Sequence, residues 1–306
     1  MTLPFVEESP LAFGGYRPPR ERSRYSVVGI PFDSTVTFRG GQRWAPRSIR
    51  EASAFIEFRS LHAGIDVDYI PIYDEGDVAV VPGDALETLK RVSSVAEAVA
   101  GEGRILVGIG GEHTVTYGLF EGVSKALGSP PCLLIFDAHF DLREEYLGYR
   151  FSHACVMRRI AERLHPPFMV YVGVRGFADE ELRFAESKEG ISYVTSLDLF
   201  SMGEANIAAR VSRKLSDCKA LYLTIDIDFL DPSEAPGVGN PEPLGLSMRE
   251  ALNLLHSLVD DRLVAFDVVE VAPPYDVGGI TSINAAKIIV EIIAAVEKAV
   301  RGLRRG

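Results

Sequence analysis

The chain has 306 residues, of which 47% are hydrophobic and 25% charged, and its formal net charge is -11. This length and hydrophobic content predict a globular protein with a substantial core. The excess of acidic residues argues against a nucleic-acid partner, because such proteins need a basic face to displace the counterions of the phosphates. It favours a small cationic ligand instead.

The N-terminal segment has no basic stretch followed by an apolar core, so we expect no secretory signal. No uninterrupted apolar run has the length to cross a bilayer, and we expect no membrane partner. Cys132, Cys155 and Cys218 are widely spaced and form no CxxC pair. This sparse, odd set fits a reducing cytoplasm better than a disulfide framework, and it predicts a cytoplasmic protein.

Side-chain amides are scarce in this chain. Gln42 is the sole glutamine, and the asparagines are Asn206, Asn240, Asn253 and Asn284. A low content of thermolabile amides is typical of proteins that are selected for heat resistance. A GC-rich genome, which the excess of arginine over lysine indicates, explains the same scarcity.

Short β-rich apolar runs alternate with longer segments of helical periodicity. The predicted strands are Tyr25–Ile30, Arg104–Gly108, Cys132–Phe136, Met169–Gly173, Ile191–Thr195, Leu221–Ile225 and Val264–Val269. The predicted helices include Ala85–Ala100, Thr114–Ala126, Cys155–Leu164, Ser247–Leu258 and Ser282–Val300. This alternation predicts an α/β fold with a mostly parallel sheet covered by helices on both faces.

The organisation along the chain predicts one domain. No low-complexity linker, composition shift or fixed-period repeat divides residues 1–306. We interpret residues 1–22 as an N-terminal extension. The loop Asp231–Gly245 is long and rich in Pro and Gly, and a loop of this length within a compact domain is more often functional than a linker.

Three polar clusters come directly after predicted strands. They contain His113 in the first, Asp137, His139 and Asp141 in the second, and Asp226 and Asp228 in the third. Ligands of open α/β sheets bind outside the carboxyl ends of the strands. We therefore expect the three clusters to meet at one edge of the sheet.

The spacing of these residues fits metal ligation. Side chains at i and i+2 of a strand share a direction, which pairs Asp137 with His139 and Asp226 with Asp228. Full extension from Asp137 to Asp141 would span roughly 13 Å, at about 3.3 Å per residue. Both carboxylates can reach one ion only if the chain curls after the strand, since metal–oxygen bonds are about 2 Å long.

Clustered carboxylates raise each other's pKa and do not all stay ionised without cations. Two divalent ions would nearly balance them. Oxygen-rich ligation with some imidazole fits Mn²⁺, with Zn²⁺, Co²⁺ and Fe²⁺ as alternatives. Two such ions about 3.5–4 Å apart can share a water and lower its pKa until it forms hydroxide near neutral pH.

Each cluster has a plainer interpretation by itself. Asp137 and His139 occur in the pattern of a solvated turn, and Asp231 with Pro232 is typical of a turn that caps a strand. The "GIGG" stretch at 108–111 is glycine-rich like a phosphate-binding loop, but it lacks the Lys-Ser/Thr of such loops. The metal interpretation depends on all three clusters falling at one predicted sheet edge.

Six segments resemble the ureohydrolases, the arginase–agmatinase superfamily, and most of all the agmatinases. They are "GIPFDSTVTFRGGQRWAPRSIREAS" (29–53), "GGEHTVTYG" (110–118), "DAHFDLR" (137–143), "FSHA" (151–154), "TIDIDFLDPSEAPGVGNPEPLG" (224–245) and "FDVVEVAPPYD" (266–276). The resemblance extends over nearly the whole chain. It implies a three-layer αβα fold, a homotrimer or homohexamer, and hydrolysis of a guanidino group to an amine and urea.

The resemblance also implies two Mn²⁺ per subunit. The first ion would be bound by His113, Asp137, Asp141 and Asp226, and the second by Asp137, His139, Asp226 and Asp228. Asp137 and Asp226 would thus bridge the two ions.

We take three residues as catalytic. Asp141 would hold the attacking hydroxide by a hydrogen bond, and His153 would relay a proton to the leaving amine. Glu270 would bind the guanidinium group, as the family's glutamate in that motif does. The alternatives are a helix-start or packing role for His153 and a water-exposed strand-end charge for Glu270.

Agmatine, cleaved to putrescine and urea, is the substrate that we predict. Glu144 and Glu145 would repel a carboxylate and attract a second amine, although Arg143 and Arg150 lie in the same segment. Leu244 stands where the family commonly has glycine and is expected to narrow the pocket entrance.

Other functions remain open. The substrate alternatives are arginine, guanidinobutyrate, guanidinopropionate, guanidine and formiminoglutamate. A metal-binding homologue without turnover is a second class. A nicotinamide-dependent dehydrogenase is a distant third, because the chain lacks the glycine fingerprint of such enzymes.

Overall fold

The computed structural model describes residues 3–302 of the chain. In this range the strands are β1 Val6–Glu7, β2 Tyr25–Ile30, β3 Arg59–Ser60, β4 Ile65–Asp66, β5 Ile72–Val78, β6 Ile105–Gly110, β7 Cys132–Phe136, β8 Met169–Val174, β9 Ile191–Thr195, β10 Leu221–Asp226 and β11 Leu263–Val269. The α-helices are α1 Ala45–Ser53, α2 Ala85–Gly101, α3 Val115–Leu127, α4 Val156–Arg163, α5 Asp179–Ser187, α6 Ser196–Met202, α7 Glu204–Lys214, α8 Met248–Leu258 and α9 Ile280–Val300.

Nine of these strands form one sheet in the order β1-β5-β2-β6-β11-β10-β7-β8-β9. Its neighbouring strands are parallel, except that β1 pairs with β5 in the antiparallel sense. The four central strands β6, β11, β10 and β7 are adjacent, although they are far apart in sequence. Their carboxyl ends therefore lie side by side.

Two hydrophobic cores lie on opposite faces of the sheet. On β7, Leu134 packs into the core that contains α1, α8 and α9, whereas Leu133 packs into the core that contains α2, α3 and α4. Each fully buried leucine contributes about 1.5–3 kcal/mol relative to an exposed one. Burial on both faces explains why the strands are continuous apolar runs. The predicted three-layer αβα fold is confirmed.

Local capping explains where several helices begin and end. The hydroxyl of Ser247 accepts a hydrogen bond from the Glu250 backbone N–H, and the Glu250 carboxylate accepts one from the Ser247 backbone N–H. This capping box starts α8. Helix α3 ends at Gly128, whose φ of 73° is a left-handed conformation that favours glycine.

The seven predicted strands are present with ends within two residues, but the two-residue strands β1, β3 and β4 and the longer strand β5 were missed. Strand β5 is the informative case. Its sequence "IYDEGDV" carries acidic residues that are typical of a loop. In the structure Asp74 is buried and forms two hydrogen bonds with the equally buried guanidinium of Arg50, at 2.8 and 2.9 Å. A partner 24 residues away thus allows a charged segment to lie within the sheet.

Residues 3–22, which include most of the predicted N-terminal extension, pack against the sheet. Strand β1 pairs with β5 through Val6 and Val78, and Phe13 is buried in a hydrophobic core. The backbone N–H of Phe13 donates a hydrogen bond to Asp74 at 2.8 Å. This segment therefore contributes an edge strand to the sheet.

One helical segment has the length and hydropathy of a membrane span. Within residues 3–302, Val277–Val300 is long and apolar enough to span a bilayer. Lys287 and Glu291 interrupt it, so it is not an uninterrupted apolar run. In the fold, 72% of the apolar window is buried, and a core helix of a globular protein passes the same test.

The expectation of free cysteines was also wrong, because Cys132 and Cys218 form a disulfide. They are 86 residues apart in sequence. Cys132 begins β7 and is paired in register with Leu221 of β10, three residues beyond Cys218. The adjacency of these two strands in the sheet brings the sulfur atoms together, and no local spacing pattern predicts such a pair. Cys155 is buried and free.

Candidate active site

The predicted ligands converge at the carboxyl edge of the central strands. His113 follows β6, Asp137 follows β7, Asp226 ends β10 and Glu270 follows β11. Since these four strands are neighbours, their ends deliver the side chains to one place. All six predicted metal ligands fall in two groups whose ligand atoms lie within 4.8 Å of one another.

The first group surrounds one nitrogen atom. His113 Nδ1 lies 3.2 Å from Asp137 Oδ2, 2.9 Å from Asp141 Oδ2 and 3.3 Å from Asp226 Oδ2. This Nδ1 atom and Asp137 Oδ2 are buried without a hydrogen-bond partner among the described residues. A ring nitrogen has one proton or one lone pair, so it does not bond three carboxylates. A cation among these four atoms would satisfy them all.

The other nitrogen of His113 explains why Nδ1 is available as a ligand. His113 Nε2 lies 3.1 Å from Thr224 Oγ1, and the Thr224 hydroxyl donates its proton to Asp267 at 2.6 Å. The threonine oxygen therefore accepts the Nε2–H of His113. This tautomer leaves the lone pair on Nδ1, which is the arrangement that outer partners impose on metal-binding histidines.

The second group shares Asp137 with the first. His139 Nδ1 lies 3.1 Å from Asp228 Oδ2 and 3.6 Å from Asp137 Oδ1. Asp137 thus presents one oxygen to each group, as the resemblance implies for a bridging ligand. Asp226 joins the first group, while its Oδ1 accepts a hydrogen bond from the Asp228 backbone N–H at 3.0 Å.

The backbone curls after the strands, as the spacing predicts. Asp141 has a φ of 53° and Glu270 a φ of 67°, which are left-handed conformations that non-glycine residues rarely adopt. A 3₁₀ turn, Ile227–Phe229, follows β10 and carries Asp228. The left-handed conformation of Asp141 and Glu270 costs roughly 1–3 kcal/mol per residue, and strained backbone of this kind is concentrated at functional sites.

The electrostatics of the site favour bound cations. Burial and the nearby Asp137 charge raise the pKa of Asp141 to about 7. Burial, with the charges of Asp228 and Asp137, raises the pKa of Asp226 well above its ordinary value. These carboxylates therefore compete for protons unless positive charge is present. Two divalent ions fit the four carboxylates and two imidazoles in both charge and ligand type.

Glu270 is buried beside this site. It is 6% exposed, which excludes the alternative of a water-exposed strand-end charge. Its Oε1 accepts a hydrogen bond from the His113 backbone N–H at 2.7 Å, and its Oε2 accepts one from Gln42 Nε2 at 3.0 Å. Burial and the neighbouring carboxylate of Glu112 raise the pKa of Glu270 to about 8.

His153 is fixed with one nitrogen free to exchange a proton. Its Nδ1 lies 3.0 Å from the backbone oxygen of Thr35, and its Nε2 lies 3.3 Å from Thr37 Oγ1. A carbonyl oxygen can only accept, so Nδ1 carries the proton and Nε2 the lone pair. Burial lowers the pKa of His153 to about 4, and the imidazole is therefore neutral at pH 7.

A cavity of ≈ 250 Å³ opens onto these side chains. Its walls include predicted site residues and others that sequence reasoning missed, namely Arg143, Tyr146, Gly176, Phe177, Glu181, Asn240 and Glu242. Gln42, which contacts Glu270, was also missed. The scarcity of amides was the available signal, because the sole glutamine and one of the four asparagines lie at the site.

Two sequence-based expectations about the substrate were wrong. Neither Glu144 nor Glu145 is among the residues that line the cavity, and Glu144 instead forms ion pairs with Arg150 and Arg158. Leu244 is 61% exposed and does not line the cavity either. Its φ of 66° explains a preference for glycine at this position without any effect on the channel.

The fold and site define an α/β enzyme whose carboxylates and imidazoles can hold two divalent ions. The sequence profile of the Arginase family matches residues 23–295. The chain is 37% identical to an agmatinase of Pyrococcus horikoshii, covering 88% of this chain and 90% of that one. It is 34% identical to an N(1)-aminopropylagmatine ureohydrolase of Thermococcus kodakarensis, with 91% and 92% covered.

A solved structure agrees with these relatives. The agmatine ureohydrolase of Thermoplasma volcanium superposes with a TM-score of 0.83 at 34% identity, covering 94% of each chain. The chain belongs to the arginase family and is most like the agmatinases. It is a hydrolase of guanidino carbon–nitrogen bonds, which confirms the resemblance.

Proposed function

We propose that the enzyme hydrolyses agmatine to putrescine and urea with two bound Mn²⁺ ions. The observation that carries the proposal is the convergence of His113 Nδ1 with three carboxylates, beside the buried carboxylate of Glu270. The agmatinase of Pyrococcus and the agmatine ureohydrolase of Thermoplasma support agmatine as the substrate. Arginine, guanidinobutyrate, guanidinopropionate, guanidine and formiminoglutamate are the alternative substrates.

The proposed ligands divide between two ions. His113, Asp137, Asp141 and Asp226 would hold the first, and Asp137, His139, Asp226 and Asp228 the second. When bound, the ions supply Lewis-acid activation of the attacking water. Carboxylate-rich ligation supports Mn²⁺ over softer metals.

The protein's own side chains would orient the substrate and move a proton. The carboxylate of Glu270 accepts N–H groups of the guanidinium, and Asp141 accepts a hydrogen bond from the attacking water. The water oxygen bonds to the guanidino carbon, and the bond from that carbon to the alkyl nitrogen breaks. His153 Nε2 takes the two protons of the water one after the other and gives each to the leaving nitrogen, so that guanidinium and water become an alkylammonium ion and urea.

Urea release from a panel of guanidines tests this function. With Mn²⁺ added to the purified chain, we expect kcat/KM for agmatine to exceed that for arginine and for each guanidino acid. Higher kcat/KM with arginine or with a guanidino acid would reject agmatine while retaining the reaction class. No urea from any compound, with two metals bound per chain, would support the homologue without turnover.

Replacement of His153 by alanine is expected to lower kcat about a hundredfold or more, since positioned acid–base groups contribute roughly 10²–10⁴-fold. Bound metal, measured by elemental analysis, should be unchanged because His153 belongs to neither ligand group. His165→Ala, at an exposed histidine, is the matched control and should retain wild-type kcat. Parallel loss of metal and activity in the His153 variant would contradict a proton-relay role.

We further propose that residues 1–306 act as one ureohydrolase domain with residues 1–22 as its extension. On the same resemblance we propose a homotrimer or homohexamer in the cytoplasm. Sedimentation equilibrium distinguishes the two assemblies.

A further inference from the structure

The carboxylates that line the cavity differ in the groups that they contact or are proposed to bind. Asp141, Asp226 and Asp228 belong to the two ligand groups, and Glu270, whose oxygens accept hydrogen bonds from Gln42 and the His113 backbone, is assigned to the guanidinium group. Glu242 is different. Within residues 3–302, its Oε1 lies 3.8 Å from His139 Nε2, a distance that is longer than a hydrogen bond.

The carboxylate of Glu181, which also lines the cavity, already has hydrogen-bond partners within the protein. It is 3% exposed and accepts hydrogen bonds from the backbone N–H groups of Leu142 and Ala178, at 3.1 and 2.9 Å. It faces Arg143 as well, with 3.6 Å between Arg143 Nε and Glu181 Oε2. Glu242 is therefore the lining carboxylate that remains available to the far end of a substrate, with its side chain 41% exposed.

Glu242 is held in place rather than free to swing away. Arg175 Nη2 donates hydrogen bonds to the backbone oxygens of Glu242 and Asp228, at 2.8 and 2.7 Å. The side chain of Glu242 lies against Gly176, where an added Cβ would come within 2.9 Å of Glu242 Cγ. One guanidinium thus ties the Glu242 loop to the turn that carries the ligand Asp228.

The rest of the cavity wall fits an alkyl chain that ends in a cation. Tyr146 and Phe177 provide aromatic surface for methylene groups. Among the residues that line the cavity, the lysine and arginine side chains are represented by Arg143 alone. Its guanidinium already contacts the Glu181 carboxylate and lies 4.9 Å from the centre of the Tyr146 ring. With His139 neutral as a metal ligand, the charge left to face a substrate tail is the negative charge of Glu242.

We propose that Glu242 binds the ammonium group at the far end of the substrate. It therefore selects guanidines that end in an amine over those that end in a carboxylate. This inference rests on the proposed guanidino hydrolysis and assigns the tail specificity to one residue. A fixed, partly desolvated carboxylate attracts an ammonium ion and repels a second carboxylate, so it discriminates by both attraction and repulsion.

A competing role for Glu242 is that of an outer partner of His139. A carboxylate that orients a metal-binding imidazole affects metal affinity and the turnover of every substrate alike. A carboxylate that binds the tail affects substrates according to the charge of the tail. The two roles therefore predict different patterns across a substrate series.

The test compares three guanidines that differ at the far end: agmatine, butylguanidine and guanidinobutyrate. For Glu242→Gln we expect kcat/KM for agmatine to fall about tenfold or more, the range for a lost hydrogen bond to a charged group. Butylguanidine should change by less than about twofold, and guanidinobutyrate should improve. Glu242→Arg should favour guanidinobutyrate over agmatine. Glu144→Gln, which removes a carboxylate paired outside the cavity, is the matched control and should keep the wild-type ratio.

Equal losses for all three compounds together with lower metal content would overturn the proposal in favour of the His139 role. An unchanged agmatine-to-guanidinobutyrate ratio in both Glu242 variants would also overturn it. If the wild-type chain releases no urea, the proposed reaction fails, and calorimetric binding of agmatine still tests Glu242. Binding about tenfold weaker in Glu242→Gln supports the contact, and equal binding overturns it.

Discussion

Replacement of Asp137 by asparagine is expected to abolish most of the activity, because this side chain presents one oxygen to each of the two ligand groups. We expect kcat/KM to fall at least about a thousandfold, which is about 4 kcal/mol of transition-state stabilisation. Bound Mn²⁺ should fall from two ions per chain to one or fewer. Urea release and elemental analysis of the same samples measure both effects.

The effect of the same change on stability should depend on metal. Without divalent ions, and despite its burial, hydrogen bonds and charges of His113 and His139 lower the pKa of Asp137 to about 2, so its carboxylate stabilises the fold at pH 7 and Asp137→Asn should lower the midpoint of thermal unfolding. Added Mn²⁺ should raise the midpoint of the wild-type chain more than that of the variant, since it stabilises the state that binds it. Equal stabilisation of both proteins would show that Asp137 does not bind the metal.

Of the proposed substitutions, removal of the disulfide should lower the free energy of unfolding the most. Cys132 and Cys218 are 86 residues apart. A cross-link at that separation restricts the unfolded chain by about 4–5 kcal/mol in the chain-entropy description, with about 2–4 kcal/mol typically measured. We expect the double variant Cys132→Ala, Cys218→Ala to unfold at least about 5 °C lower than the wild type. Differential scanning calorimetry measures the difference.

A reducing agent provides the control for this stability loss. Dithiothreitol should lower the unfolding temperature of the wild type and leave that of the double variant unchanged. Cys155→Ala, at the free buried cysteine, should keep the full response to dithiothreitol. A wild-type chain that unfolds at the same temperature with and without the reductant would contradict a stabilising cross-link.

Heat resistance was one interpretation of the scarce amides, and the structure adds the disulfide and the buried pair of Arg50 with Asp74. Intracellular proteins of hyperthermophiles are an exception to the rule that cytosolic proteins lack disulfides. The disulfide is therefore compatible with the proposed cytoplasmic location. The unfolding temperatures of the disulfide experiment also test this interpretation.

Local patterns in the sequence were sufficient for much of the fold and for the ligand set. Apolar runs predicted Tyr25–Ile30, Cys132–Phe136 and Ile191–Thr195 with the observed ends. The strand ends carried Asp137 and Asp226 in spacings that fit metal ligation. These patterns are visible in the sequence because side-chain direction and burial repeat with the period of the strand or helix. That period depends on residues that are close in sequence.

Contacts between distant segments could not be predicted in this way. A side-chain partner of Glu270 is Gln42, 228 residues away, and Glu242 lines the cavity whereas Glu144 does not. Both depend on how the loops at the sheet edge pack against one another. Sequence spacing carries no information on that packing, and this is why the expectation about Glu144 failed.

The sequence by itself determined which residues can bind metal and that they follow buried strands. The tertiary structure decided that strands β6, β11, β10 and β7 are neighbours in that order, which differs from their order along the chain. This order brings His113, Asp137 and Asp226 around one point and closes the disulfide between β7 and the segment before β10. Strand order results from the packing of both sheet faces against helices from the whole chain, and a pattern within any one segment does not encode it.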